Sequence, residues 1–132
     1  MIWNTTVRAN DRFSERIFDL LVQESRNADR VKSSFHAACV VNKKQILSIG
    51  LNRRKSHPLM SRFGSYRPNQ IFLHAEVDAI VRTVNQYGNE ILKESDIYVL
   101  RTTKAGNVAE SRPCDGCMEV INAFGIKNIY WS

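Results

Sequence analysis

Apolar positions first recur at helical spacing in Phe13, Ile17, Leu20 and Leu21, while Arg12, Glu15, Arg16 and Asp19 fall on the opposite side. A period of 3.6 gathers the first set into one stripe, which predicts an amphipathic helix. Asn10 or Asp11 can cap it by accepting bonds from its free backbone N–H groups, and the polar stretch from Glu24 to Lys32 ends it. Two short apolar runs follow, Ala37 to Val41 and Gln45 to Leu51, joined by Asn42-Lys43-Lys44, the pattern of a β-hairpin. Cys39, inside the first run, reads as core filling. From Asn52 to Asn69 there is no period, so a long loop is expected, and such loops inside compact domains tend to carry function. The apolar run Ile71-Phe72-Leu73 then gives way to a helix starting around His74, with Val77, Ile80, Val81 and Val84 inward. Asp96 to Thr102 predicts a strand and a polar loop follows to Arg112. A helix is expected to begin near Cys114, with Met118, Ile121 and Phe124 inward and Gly125 as its stop, before a last strand from Lys127 to Ser132.

The predicted order is therefore α-β-β-α-β-α-β. Strands that alternate with helices after a hairpin imply parallel crossovers and an α/β sheet covered on both faces. At 132 residues the chain reads as one domain, 1–132. Its 43% hydrophobic and 24% charged residues are those of a soluble globular protein. No apolar run approaches the ~20 residues of a membrane helix, and Met1 to Thr6 lack the basic patch and apolar core of a signal peptide. The expectation is a cytoplasmic protein with no membrane partner. Its cysteines are Cys39, Cys114 and Cys117, and an odd number argues against a disulfide framework.

Two short motifs carry candidate chemistry. His74-Ala75-Glu76 stands where an apolar run turns into a helix, and Pro113-Cys114-Asp115-Gly116-Cys117 stands where a loop turns into the next. A parallel α/β sheet can bring two such helix starts to one edge. Zinc accepts His nitrogen and Cys sulfur in a tetrahedral shell, and three protein ligands leave the fourth place for water, as in catalytic sites. His74, Cys114 and Cys117 supply those three. Zinc lowers the pKa of its water from ~15.7 towards 7. Glu76, two residues from a ligand, is placed to shuttle the proton. H-x-E with P-C-x-x-C is the signature of zinc deaminases, which attack C4 of cytosine or C6 of adenine and release ammonia.

The chain carries a net charge of +6, with Arg53, Arg54 and Lys55 together and Arg62 and Arg67 downstream in the same loop. This is either a solvated surface or a mouth that attracts an anionic substrate, a nucleotide or a nucleic acid.

His74-Ala75-Glu76-Val77-Asp78-Ala79-Ile80 and Ser111-Arg112-Pro113-Cys114-Asp115-Gly116-Cys117 resemble the two zinc motifs of the cytidine and deoxycytidylate deaminase superfamily. The ending Phe124 to Ser132 is similar to the following strand in deoxycytidylate deaminases, and Gly50-Leu51-Asn52 to the place of their sugar-binding Asn. The resemblance covers residues 10 to 132 and implies a three-layer α/β/α sandwich with a mixed sheet of about four to five strands. It also implies that Asn52 holds the ribose, that Ala75 gives its N–H to the pyrimidine carbonyl, and that a carbonyl just before Pro113 meets the exocyclic amine.

Three departures stand out. Arg53-Arg54-Lys55-Ser56-His57-Pro58 replaces a glycine-rich turn, the gap from Glu76 to Cys114 is longer, and the chain ends on what reads as its fourth strand. A bare last strand with Ile129, Tyr130 and Trp131 would need cover, so a homo-oligomer is expected. The leading reading is hydrolysis of a free cytosine nucleotide, dCMP to dUMP, with Zn2+ as cofactor, and with Arg53 and Lys55 on the 5′-phosphate. A polynucleotide deaminase acting on tRNA or single-stranded DNA is the runner-up; no long basic helix or stacking platform favours it. A cytidine- or guanine-type deaminase is a further alternative, and a zinc-binding module the non-enzyme one. Glu76 argues against the module, because a structural site has no use for that carboxylate.

Overall fold

The computed structural model describes residues 5–7, 12–30, 34–54, 58 and 73–132. Its elements run β1 (Thr5–Val7), α1 (Arg12–Ser25), β2 (Ser34–Asn42), β3 (Gln45–Leu51) and α2 (Ala75–Tyr87). A 3-10 turn (Glu90–Glu94), β4 (Asp96–Thr103), β5 (Val108–Ala109), α3 (Asp115–Ala123) and β6 (Asn128–Trp131) complete the order. The expected caps Asn10 and Asp11, and the run Ile71-Phe72, lie outside the described residues.

The hairpin forms as expected. Lys43 and Lys44 both take positive φ, 48° and 64°, the backbone that lets a two-residue turn follow the twist of its strands. Strand order is β1-β6-β4-β2-β3, with β1, β6 and β4 parallel and β2 antiparallel to both β4 and β3. The sheet is thus mixed. The two-residue β5 pairs with Arg101 and Thr102 of β4, beyond the part of β4 that β6 occupies. It lies in a stretch whose sequence reads as a plain polar loop.

Side chains alternate across this sheet and build a core on each face. Ala37, Cys39 and Leu51 on one face meet Ile17, Phe18 and Leu21 of α1, together with Tyr98 and Leu100 of β4. Phe18 is buried on α1, whereas Leu20 is only half-buried. Burial pushes the Cys39 thiol up to about 12, so it acts as an inert apolar filler. On the other face Ala38, Val40, Ile97, Val99 and Ile129 pack under Val77 and Ile80 of α2 and Val120 and Ile121 of α3. The result is the three-layer α/β/α arrangement.

One expectation is corrected. The final strand is not a bare edge, because Thr5, Thr6 and Val7 of β1 pair in parallel with Ile129, Tyr130 and Trp131. The short run Thr5-Thr6-Val7 carries too weak a pattern to announce a strand, yet it is β-branched throughout and suits one. The expected homo-oligomer therefore loses the exposed edge as its ground.

Gly50, near the end of β3, sits against the first turns of α2. A Cβ there would overlap the carbonyl oxygen of Ala75 and the backbone nitrogen of Ala79, which are main-chain atoms with no room to give. Gly50→Ala should therefore destabilise the protein by about 1–3 kcal/mol or more, the range for overpacking. Urea unfolding followed by circular dichroism checks this, and an unchanged midpoint would show that α2 does not ride on β3.

Candidate metal centre

Each half of the site is a helix start. His74 has extended backbone (φ −69°, ψ 148°) immediately before α2, and Cys114 likewise (φ −66°, ψ 166°) immediately before α3. The Cys114 sulfur accepts a bond from the Cys117 backbone N–H at 3.4 Å, so the thiolate caps its own helix. The partial positive charge of the helix N-terminus favours that anion.

The two starts converge. His74 Nδ1 is 3.2 Å from Cys117 Sγ and 3.6 Å from Cys114 Sγ, and the ligand atoms all lie within 4.8 Å of one another. Zinc bonds of ~2.0–2.1 Å to nitrogen and ~2.3 Å to sulfur, at tetrahedral angles, would set each N···S pair about 3.6 Å apart. The donor set and its spacing therefore fit zinc, on the three residues expected. Cys117 is buried, His74 half-buried and Cys114 exposed, so the cluster opens on one side.

The charges at the cluster are coupled. Hydrogen bonding to the Cys117 side chain draws the Cys114 thiol down to about 4; His74 and the Cys117 N–H add to this and burial opposes it. Burial taken alone would lower His74, but its hydrogen bond to Cys114 and the charges of Glu76 and Cys114 outweigh it and raise its pKa. Glu76 lies on the first turn of α2 and is only 5% exposed. Burial raises its pKa above the ordinary carboxylate range, against the pull of His74.

The expected substrate contacts meet one another. The Ala75 N–H, expected to face a pyrimidine carbonyl, donates to Asn52 Oδ1 at 2.9 Å. With its oxygen engaged there, Asn52 has its amide NH2 as the group to offer a ligand. Arg53 forms an isolated bridge with Leu73, and its Nε lies 3.4 Å from Asp78 Oδ2. Arg54 is placed by its backbone N–H, which donates to Asp29. Lys55, Arg62 and Arg67 lie outside the described residues.

Asp78, inside the first motif, has a part in the site that its type and position do not announce. Its buried Oδ2 accepts from the Leu51 N–H at 3.0 Å and faces Arg82 Nε at 3.2 Å as well as Arg53. One carboxylate thus ties the end of β3 to α2. Ser111 and Ser132 also escape a reading of the sequence. Ser111 Oγ donates to the Val99 carbonyl at 2.9 Å, and Ser132 Oγ lies 2.8 Å from Ser111 Oγ. The Ser111 N–H donates to the Ser132 carbonyl at 3.1 Å, which pins the segment leading into Pro113 and Cys114. Their only signal is a polar residue close to a metal motif or at the end of a strand.

Residues 11–132 match the family model of the cytidine and deoxycytidylate deaminase zinc-binding region. The chain belongs to this deaminase family. The dCMP deaminase of cyanophage S-TIM5, in its apo form, is similar at 26% identity over 88% of this chain and 76% of its own, with a TM-score of 0.54. The same enzyme with dCMP and dUMP matches at 23% identity over 93% and 82%, TM-score 0.58. Guanine deaminase from Bacillus subtilis matches at 18% identity over 94% and 64%, TM-score 0.55. The last two identities are low and show the shared fold. No curated protein sequence matches the chain.

The metal assignment has a direct consequence for this family member. Purified protein should hold about one zinc per chain, and Cys114→Ser or Cys117→Ser should lose zinc and lower thermal stability together, because metal binding is coupled to folding. Metal analysis with thermal unfolding checks both, and full zinc in the double mutant would exclude the site.

Proposed function

We propose that this deaminase hydrolyses a free cytosine nucleotide, dCMP to dUMP, at the cluster of His74, Cys114 and Cys117. The observation that supports it is the placement of Glu76, a buried carboxylate on the same helix start as His74, beside three converging ligands. His74, Cys114 and Cys117 would hold zinc, which when bound supplies Lewis-acid activation of a water molecule. Glu76 would take a proton from the attacking water, pass it to the ring nitrogen and deliver a proton to the leaving amine. The water oxygen becomes the new carbonyl and the amine departs as ammonia. Burial raises the Glu76 pKa, and a carboxyl can both accept and return a proton, as the two transfers require.

Asn52, held by the Ala75 N–H, presents its amide to the ribose. Ala75 thereby orients Asn52, and its N–H reaches a base carbonyl only if that bond is exchanged. The phosphate falls to Arg53, Arg54 and Lys55, whose donors form charge-assisted bonds to phosphate oxygens. Arg53 and Arg82 share one carboxylate, Asp78, so the two cations exceed the charge of their common partner. Likeness to a dCMP deaminase at 26% identity supports the choice of substrate.

Ammonia release by the zinc-loaded chain across dCMP, CMP, deoxycytidine, cytidine, adenosine, guanine and a short single-stranded oligonucleotide tests this reading. dCMP should give the highest kcat/KM. Glu76→Ala should keep its zinc and lose turnover by ~10²-fold or more, the size of a general acid–base contribution. Near-normal turnover in that variant removes Glu76 from the chemistry. A best rate with guanine or the oligonucleotide replaces the substrate.

A further inference from the structure

The sheet sets a row of residues that leads to the metal cluster. His36 of β2 pairs with Arg101 of β4, and its carbonyl accepts the Asn52 N–H at 3.3 Å. Asn52 in turn holds Ala75, the residue after His74. Side-chain alternation fixes which face these residues use. The pairs Ala38–Val99 and Val40–Ile97 both lie in the core under α2 and α3, so His36 and Arg101, two residues further along, point to that same face. The row Arg101, His36, Asn52, Ala75 therefore leads to the residue after His74, on the sheet face that carries α2 and α3.

Arg101 is underused in this row. Its Nε is buried with no hydrogen-bond partner, the one such side-chain atom among the described residues. Its Nη1 reaches Ser34 Oγ only at 3.5 Å, the outer limit of a hydrogen bond. Among the described residues no carboxylate pairs with it, whereas Arg53 and Arg82 both have Asp78. A guanidinium carries five donors in a rigid fork suited to oxygen pairs, and leaving one buried without a partner is costly. Burial first, and then the charges of Arg101 and His74, depress His36 to about 4, with Cys114 opposing them. His36 is thus a neutral neighbour that sets no second positive charge beside Arg101.

We propose that Arg101 is a substrate-binding and specificity-determining residue, its guanidinium taking an oxygen of the substrate at the far end of the row formed with His36 and Asn52. The oxygen is a phosphate oxygen or the carbonyl of the base; both are acceptors the fork can take. A polar floor of this kind rewards the right acceptor and rejects analogues that would leave the arginine without a partner. The inference rests on the deaminase reading of the same site, and the two can fail separately: that reading fails by absence of ammonia release, this one by the behaviour of Arg101 variants in binding.

The test is calorimetric titration of the zinc-loaded full chain with dUMP and with deoxyuridine, in wild type, Arg101→Met, Arg101→Lys and Ser34→Ala, with zinc content and thermal unfolding measured on each. Arg101→Met removes a charge-assisted bond and should weaken binding about ten-fold or more. If only dUMP weakens, Arg101 binds the phosphate; if both weaken by the same factor, it binds the base carbonyl. Should Arg101→Met fail to fold, Arg101→Lys, which keeps charge but not the fork, is expected to show the same pattern to a smaller degree. Three results overturn the proposal: affinities unchanged in the folded Arg101 variants, no binding of either compound to wild type, or an equal loss in Ser34→Ala, which would make Arg101 a strut for β2.

Discussion

The site depends on a backbone contact. At Gly50 the end of β3 lies against the main chain of α2 with no side chain between them. That closeness lets the Leu51 N–H reach the Asp78 carboxylate and Asn52 Oδ1 reach the Ala75 N–H, two bonds from consecutive residues of the strand to one turn of the helix. Ser48 adds a third tie, donating to the Ala79 carbonyl at 2.8 Å. His74 and Glu76 thus take their positions from a strand end that leads directly into Asn52. His74, Glu76 and Asn52, the residues proposed to hold metal, carry protons and meet the substrate, are set by one docking.

The other half of the cluster is placed independently. Cys114 and Cys117 arrive on α3, whose entry is anchored through Ser111 and Ser132 to the end of β4 and β6. Both halves end in helix N-termini, where partial positive charge gathers, and a thiolate, a histidine and a carboxylate share the space between them. Burying so many titratable groups together is tolerable because they compensate one another. A bound cation would complete that compensation and draw the Glu76 carboxyl back down.

The hairpin, the two central helices and the strand Asp96 to Thr103 are legible in the sequence because each carries a sustained period, and the cluster is legible because metal chemistry dictates residue type and spacing. The sequence is silent where the determinant is tertiary. Thr5–Val7 becomes a strand only because β6 offers it an edge. Val108–Ala109 is too short for any period. Asp78, Ser111 and Ser132 are ordinary polar letters until the fold brings their partners from 27, 12 and 21 residues away. The Ala75–Asn52 bond is likewise hidden, since each residue by itself reads as a ligand of substrate. Arg101 sits inside a run that looks like plain strand and His36 just before one, and only the register pairs them.

The central claim is that two helix starts make one zinc site with three protein ligands and a fourth place open to a reacting molecule. X-ray absorption at the zinc edge, on the full chain loaded with one zinc, tests it most directly. The expected spectrum has two sulfur neighbours at ~2.3 Å and two lighter ones at ~2.0–2.1 Å. A shell of four sulfurs, or one without sulfur, would contradict it.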